Sequence, residues 1–309
     1  MIEQIAVAIR FVTFADLLVA FGLSAFTFYG TGPVGGGSFE PVRRRWLAAG
    51  ACIGLVVTAA GVLNTASNMA GIPLAALDRQ SVAFVLEGTA FGTAAILRFA
   101  ALFVALFAAP LIRSPRAALS ILTTAWGTAV ATLAWNGHAV MDEGMAGWGH
   151  LGADVLHLWA AGLWLGALVG LLLLLLRPLK TMTAHHVAAT QNALAKFSLM
   201  GTVIVAVILA SGMVNALFLV GPNNIAAMWT TLYGQVLFAK LALFAAMLGL
   251  AATNRFLLTP ALARGIECAR RETAIGKLRF SLAFELASAV SILGLVAWLG
   301  TLEPPISAA

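Results

Sequence analysis

The residues best suited to chemistry lie between Trp135 and Leu176, in the run WNGHAVMDEGMAGWGHLGADVLHLWAAGLWLGALVGLLLLLL. It holds three of the five histidines, two methionines and three carboxylates. His150, Asp154 and His157 are spaced i, i+4, i+7, so on a helix they share one face. Trp164 continues that stripe. His157 then lies roughly 10 Å beyond His150 along the axis. His138, Met141 and Met145 precede the helix, and Gly137, Gly144, Gly147 and Gly149 let that loop fold back over the helix end. Imidazole with thioether favours copper: thioether suits Cu(I), and imidazole suits Cu(I) and Cu(II). Zinc more usually recruits Cys or a third His in closed tetrahedral geometry. His138, His150, His157, Asp154, Met141 and Met145 are therefore the candidate metal ligands, with a copper ion, Cu(I) or Cu(II), as their guest. Asp142 and Glu143 read as solvated loop charges. Haem ligation and a purely structural hydrogen-bond network are the competing readings of the same residues.

Such groups need a scaffold, and the composition says which. Of 309 residues, 61% are hydrophobic and 10% charged, with a mean hydropathy of +0.97. A soluble domain carries about 25% charged residues, and several runs here reach the ~20 apolar residues that cross a bilayer. The chain reads as an all-α, polytopic integral membrane helix bundle of about eight transmembrane helices. The expected spans are about 5–29, 46–66, 88–109, 117–135, 149–176, 197–220, 232–258 and 280–299, with a surface helix allowed in the 68–87 connector. The whole chain, 1–309, reads as a single transmembrane domain, with no convincing short repeat and no soluble second domain.

Charge orients the bundle. Loops after spans one, three, five and seven, with their edges, hold 14 of the 18 Lys and Arg; the remaining loops are acidic or neutral. The positive-inside rule then puts both termini, and the Trp135–His150 loop, in the periplasm of a bacterium. This charge pattern, not nucleic-acid binding, accounts for the net charge of +6. His185 and His186 fall on the opposite, basic side as loop residues. Arg10 and Asp16 interrupt the first apolar run, so it reads as a retained span and not a signal peptide. Cys52 and Cys268 form no CxxC pair and suggest no disulfide framework.

Arg10, Asp16, Arg98, Lys240 and Glu285 lie within or near spans, where unpaired charge is costly. Arg10 is expected to snorkel outward; the others should face the bundle and pair. Met213, Asn215, Lys240 and Glu285 are transport-path candidates. Met69 and Met228 fall near the same outer face as the histidines. Most of the tryptophans, Trp164 among them, read as an interfacial belt.

The chain resembles the CopD family of bacterial inner-membrane copper resistance and copper uptake proteins. The resemblance rests on NGHA at Asn136–Ala139, on Asp154, His157 and Trp164, on SGxxN at Ser211–Asn215 and on YGxxLxxK at Tyr233–Lys240. Asn254–Arg255, Glu285 and Phe91–Arg98 add to it, so a CopD-like core spans about residue 80 to 309. It implies copper handling at the inner (plasma) membrane by a multi-pass protein, with His138, Asp154 and His157 as motif positions. A separate periplasmic copper-binding protein of the CopC type is the implied partner.

The expected function is copper transport or acceptance, with import of periplasmic copper through the outer His/Met/Asp site. Asp154 is expected to orient His157 or to bind metal with it. Two rivals stand beside it: a b-type haem membrane cytochrome, and a non-transporting scaffold or sensor that docks a copper chaperone. No nucleophile–base arrangement and no HExxH motif points to an enzyme, and beyond copper and membrane lipid no nucleic-acid partner is expected.

Overall fold

The computed structural model describes residues 2–31, 40–112, 114–136, 144–176, 184–260 and 271–308. Those residues form helices joined by short turns, with no strand among them. The helices are α1 (Ile2–Phe26), α2 (Glu40–Ala70), α3 (Arg79–Gly88), α4 (Ala90–Leu111), α5 (Pro115–Ala131), α6 (Gly144–Leu175), α7 (Ala184–Leu219), α8 (Ala227–Thr230), α9 (Leu232–Thr253) and α10 (Arg271–Leu299). Eight are long and apolar enough to cross a membrane: all but α3 and α8. The protein is a multi-pass, all-α membrane bundle. With eight spans both termini emerge at one end, called the terminal face below.

Four helices outrun their expected bounds by five residues or more: α2 begins at Glu40, ahead of 46, α10 begins at Arg271, ahead of 280, and α6 and α7 do the same. α6 begins at Gly144, ahead of 149, and α7 begins at Ala184, far ahead of 197. Apolar runs mark only the ~30 Å hydrocarbon layer, whereas helix hydrogen bonding continues into Ala-rich flanks. At 1.5 Å per residue α7 is about 54 Å long, so Lys196, expected in a loop, is helical. The surface helix of the connector is present as α3, capped by Asp78, whose side chain accepts from the Ser81 amide at 2.8 Å.

Helices pair as two copies of one four-span unit. The pairs α1–α2, α4–α5 and α1–α5 of the first half recur as α6–α7, α9–α10 and α6–α10 in the second. The cross-pairs α1–α10 and α6–α5 exchange likewise, and α1 packs on α6 at the centre. The two central helices meet through glycine: a Cβ on Gly22 of α1 would lie 2.9 Å from Gly166 Cα of α6. Only residues without side chains permit helices to approach this closely.

Local sequence follows the same repetition. Thr89 caps α4 by accepting from the Gly92 amide at 2.9 Å; Thr231 caps α9 by accepting from the Gly234 amide at 3.1 Å. Thr-x-Phe-Gly before Arg98 thus matches Thr-x-Tyr-Gly before Lys240 at identical spacing. At Gly92 and Gly234 a side chain would strike the preceding short helix, α3 and α8 respectively. Gly61-x-x-Asn64 in α2 likewise matches Gly212-x-x-Asn215 in α7.

The halves differ in one place. α2 and α4 pack tightly through Val62, Ala66 and Ala95, with Val85 of α3 beneath them. Their counterparts α7 and α9 form no comparable interface among the described residues. α6 packs against α7, and its Trp164 meets Phe244 of α9, so α6 lies between the two.

Candidate functional site

The face of α6 turned to α7 carries the stripe. Its residues meet α7 as an antiparallel ladder, each rung made by the same i, i+4, i+7 spacing on both helices. His150 stacks on Phe218, with ring centroids 4.4 Å apart and planes at 10°. Asp154 Oδ1 accepts from Asn215 Nδ2 at 3.1 Å. His157 Nδ1 lies 3.0 Å from Ser211 Oγ. The ladder runs about 10–20 Å along α6 from its Gly144 end. Gly212 keeps the last rung open: a Cβ there would come within 3.4 Å of His157 Cε1.

Each rung has a physical reason. His150, 2% exposed, is shielded by the phenyl ring. Asp154, half-buried, trades water for an amide donor. Ser211 Oγ donates back to the Val207 carbonyl at 2.5 Å, leaving its lone pairs toward His157. With that hydroxyl proton engaged, the His157 Nδ1–H donates to Ser211 and Nε2 carries the free lone pair. A neutral imidazole held in this way is a metal ligand whose tautomer is set by its neighbour. The orienting partner of His157 is therefore Ser211 and not the expected Asp154, which is engaged by Asn215.

Lys240 of α9 lies near this file. It is half-buried and lies within Coulombic range of Asp154 and His157, but makes no contact-distance ion pair with either among the described residues. Its counterpart Arg98, 2% exposed, is fully engaged. Arg98 Nε donates to Thr132 Oγ1 at 2.8 Å, and Nη2 donates to the Thr132 carbonyl at 3.1 Å and to Asn136 Oδ1 at 3.2 Å. Arg10, expected to snorkel outward, donates to the Asn136 carbonyl at 3.2 Å, at the end of the fourth span. Two guanidinium groups thus clamp the residue that opens NGHA.

Other expected site residues fall elsewhere. Met145 is 88% exposed at the start of α6, and Met213 is 65% exposed on the flank of α7 opposite Ser211 and Asn215; neither joins the ladder. His138 and Met141 lie outside the described residues. Among the described residues no three His, Cys, Asp or Glu side chains converge on one point, so His150, Asp154 and His157 form a file along α6 and not a single cage. Trp164, expected in an interfacial belt, is buried and lies edge-on to Phe244 at 6.1 Å. Glu285 of α10 is 1% exposed and accepts from Asn254 Nδ2. Ser211 and Phe218 escaped sequence reasoning; the SGxxN motif was the signal for the first, while a lone Phe in an apolar helix offers none.

The comparisons with known proteins agree with this architecture. Residues 1–148 match the family model "Copper resistance protein D-like, N-terminal domain", and residues 191–299 match "Copper resistance protein D". The chain is 41% identical over 311 residues to Copper resistance protein D of Pseudomonas syringae pv. tomato, covering 99% of each. It is 28% identical over 304 residues to Inner membrane protein YebZ of Escherichia coli (strain K12), covering 96% of this chain and 98% of the relative. Copper transport protein CutJ of Bacillus subtilis (strain 168) is 34% identical over 221 residues, 68% of this chain and 38% of the relative. No solved structure matches. With family models at both ends and a relative alike over nearly the full length, this membrane protein of copper-related function belongs to the copper resistance protein D family.

Proposed function

We propose that the protein accepts copper at the periplasmic side of the inner membrane and passes it inward along the α6–α7 ladder. The observation that carries this reading is the file of His150, Asp154 and His157, each braced by a residue of α7, in the half of the molecule where α7 and α9 lack the direct packing of α2 on α4. Ionisable groups at this depth are expensive, and function is the default account of them. The terminal face is the periplasmic one on the charge distribution of the loops. His138 and Met141 of the adjoining loop are the soft and borderline donors that would receive the ion, with the Arg10–Arg98 clamp on Asn136 fixing where that loop departs. His157 offers its Nε2 lone pair as the inner station. The relatives named for copper resistance and copper transport favour copper as the ion, and a separate CopC-type protein suits the role of periplasmic donor.

Uptake into proteoliposomes tests this, with Cu(I) and Cu(II) offered separately to the intact protein and to His157→Ala. Saturable uptake that the substitution abolishes is the expected result. Folded protein that binds copper without moving it would overturn the transport reading.

A further inference from the structure

A second polar cluster lies beyond the ladder, deeper between α6, α9 and α10. Glu285 is its centre. α9 ends in a π-helical turn, Asn254–Leu258, whose extra residue per turn directs Asn254 at α10; such bulges recur at functional sites. Asn254 gives its amide N–H to Glu285 and leaves its own Oδ1 without a partner among the described residues. Ser281, one turn before Glu285 on the same face, has a buried Oγ with no partner among the described residues. Trp164 Nε1 faces the carboxyl without closing a bond of standard geometry. Three buried polar atoms without a closed hydrogen bond among the described residues, on the helices that meet at one buried carboxyl, are anomalous where such groups are normally paired.

The donors say what belongs there. Carboxyl, amide and hydroxyl oxygens are hard, and thioether and imidazole are absent among them, so this is not a station for soft copper. Four oxygens on three side chains from two helices are too few to enclose an alkali cation, whereas one carboxyl suffices for a proton. No described cation opposes the carboxyl at contact distance. Arg279 donates to the Leu175 carbonyl at 2.7 Å and Arg255 to Thr202. Lys277 and Ser281 both line a cleft of about 580 Å³ between α9 and α10, with Thr253 and Phe284. Lys240 is about 20 Å away along α9 from Asn254, and α6 presents only Trp164.

We propose that Glu285, with Asn254, Ser281 and Trp164, is a proton-binding site that moves one proton per copper translocated, reached from the face opposite the termini through the α9–α10 cleft. This rests on the transport reading above. The carboxyl gains its proton on one side of the cycle and returns it on the other; Ser281, shared by the cluster and the cleft, is the passage between them.

The test uses full-length protein in sodium-free liposomes with a pH-sensitive dye in the lumen. Cu(I) is added outside, and copper–copper exchange is measured in parallel. The expected result is a copper-dependent pH change that falls at least about tenfold in Glu285→Gln, as loss of an essential intramembrane carboxyl requires. It should survive in Glu285→Asp, with exchange preserved in both. A pH change retained in Glu285→Gln, lost equally in Glu285→Asp, or dependent on added sodium overturns the assignment. Copper movement without proton movement in the wild type overturns it too, and leaves copper transport standing. No copper movement at all refutes the transport reading instead.

Discussion

Substituting Gly166 by Ala should open the central seam of the molecule. A Cβ at Gly22 or at Gly166 falls on the backbone of the partner helix, and backbone cannot rotate aside as a side chain can. A Cβ on Gly166 would lie 2.0 Å from Gly22 C, so the helices must part by about 1 Å or more, which forfeits about half of each contact well; over some forty atom pairs at 0.1–0.2 kcal/mol each, that is at least about 2 kcal/mol. Alanine also gains about 0.8–1.0 kcal/mol over glycine in a helix, which masks part of the loss. Gly249→Ala on α9 removes that ambiguity, because a Cβ there meets nothing within 4 Å. The propensity gain is common to both variants, so the difference between them isolates packing. At roughly 2–4 °C per kcal/mol, thermal unfolding in detergent, followed by tryptophan fluorescence, should separate Gly166→Ala from Gly249→Ala by about 4–8 °C. Gly22→Ala combined with Gly166→Ala should cost less than the sum, since the first separation makes room for the second. Equal melting of Gly166→Ala and Gly249→Ala would refute the close approach of α1 and α6.

Ser211→Ala should lower Cu(I) affinity about 10- to 100-fold by freeing the His157 ring, while Ser211→Thr retains it; competition with a chromogenic Cu(I) chelator reads both, and unchanged affinity in the alanine variant would detach Ser211 from the site. Arg98→Met leaves the Thr132 and Asn136 oxygens unpaired in the bundle and should cost about 3 kcal/mol, seen as a lowered melting temperature or failure to accumulate in the membrane. Thr231→Ala should cost about 1 kcal/mol by uncapping α9, and Thr89→Ala a similar amount at α4; a much smaller loss at α9 would mean that α8 holds that end without the cap.

The spans were readable because some twenty consecutive apolar residues admit few other fates. The His150, Asp154 and His157 face was readable because a 3.6-residue period is a property of one helix alone. The partners of that face were not, because nothing in a single sequence states which of seven other spans lies against α6. Met213 looked better than Ser211 as a metal-path residue on atom type, yet the two lie on opposite flanks of α7, and only the packing decides which flank meets His157. The partner of Arg10 was hidden for a similar reason. Snorkelling is the default near a helix end, but the Asn136 carbonyl sits close enough to capture the guanidinium. The repetition between halves hid because only glycines, caps and two basic residues survive from it, spread over loops of unequal length.

That repetition bears on how such a protein arises. Four spans return a chain to the side it started from, so two copies joined end to end keep one orientation. The paired glycines Gly22 and Gly166 then sit where a symmetric homodimer of the shorter ancestor would place one residue opposite itself. Gene duplication and fusion release each copy from serving both purposes. The first copy has spent its cation, Arg98, on holding a turn, and packs α2 on α4 through Val62 and Ala95. The second leaves Lys240 without a contact-distance ion pair among the described residues, and α7 and α9 without a comparable interface. On the function proposed above, the ion path belongs to the second half, and the first is the rigid body against which it works.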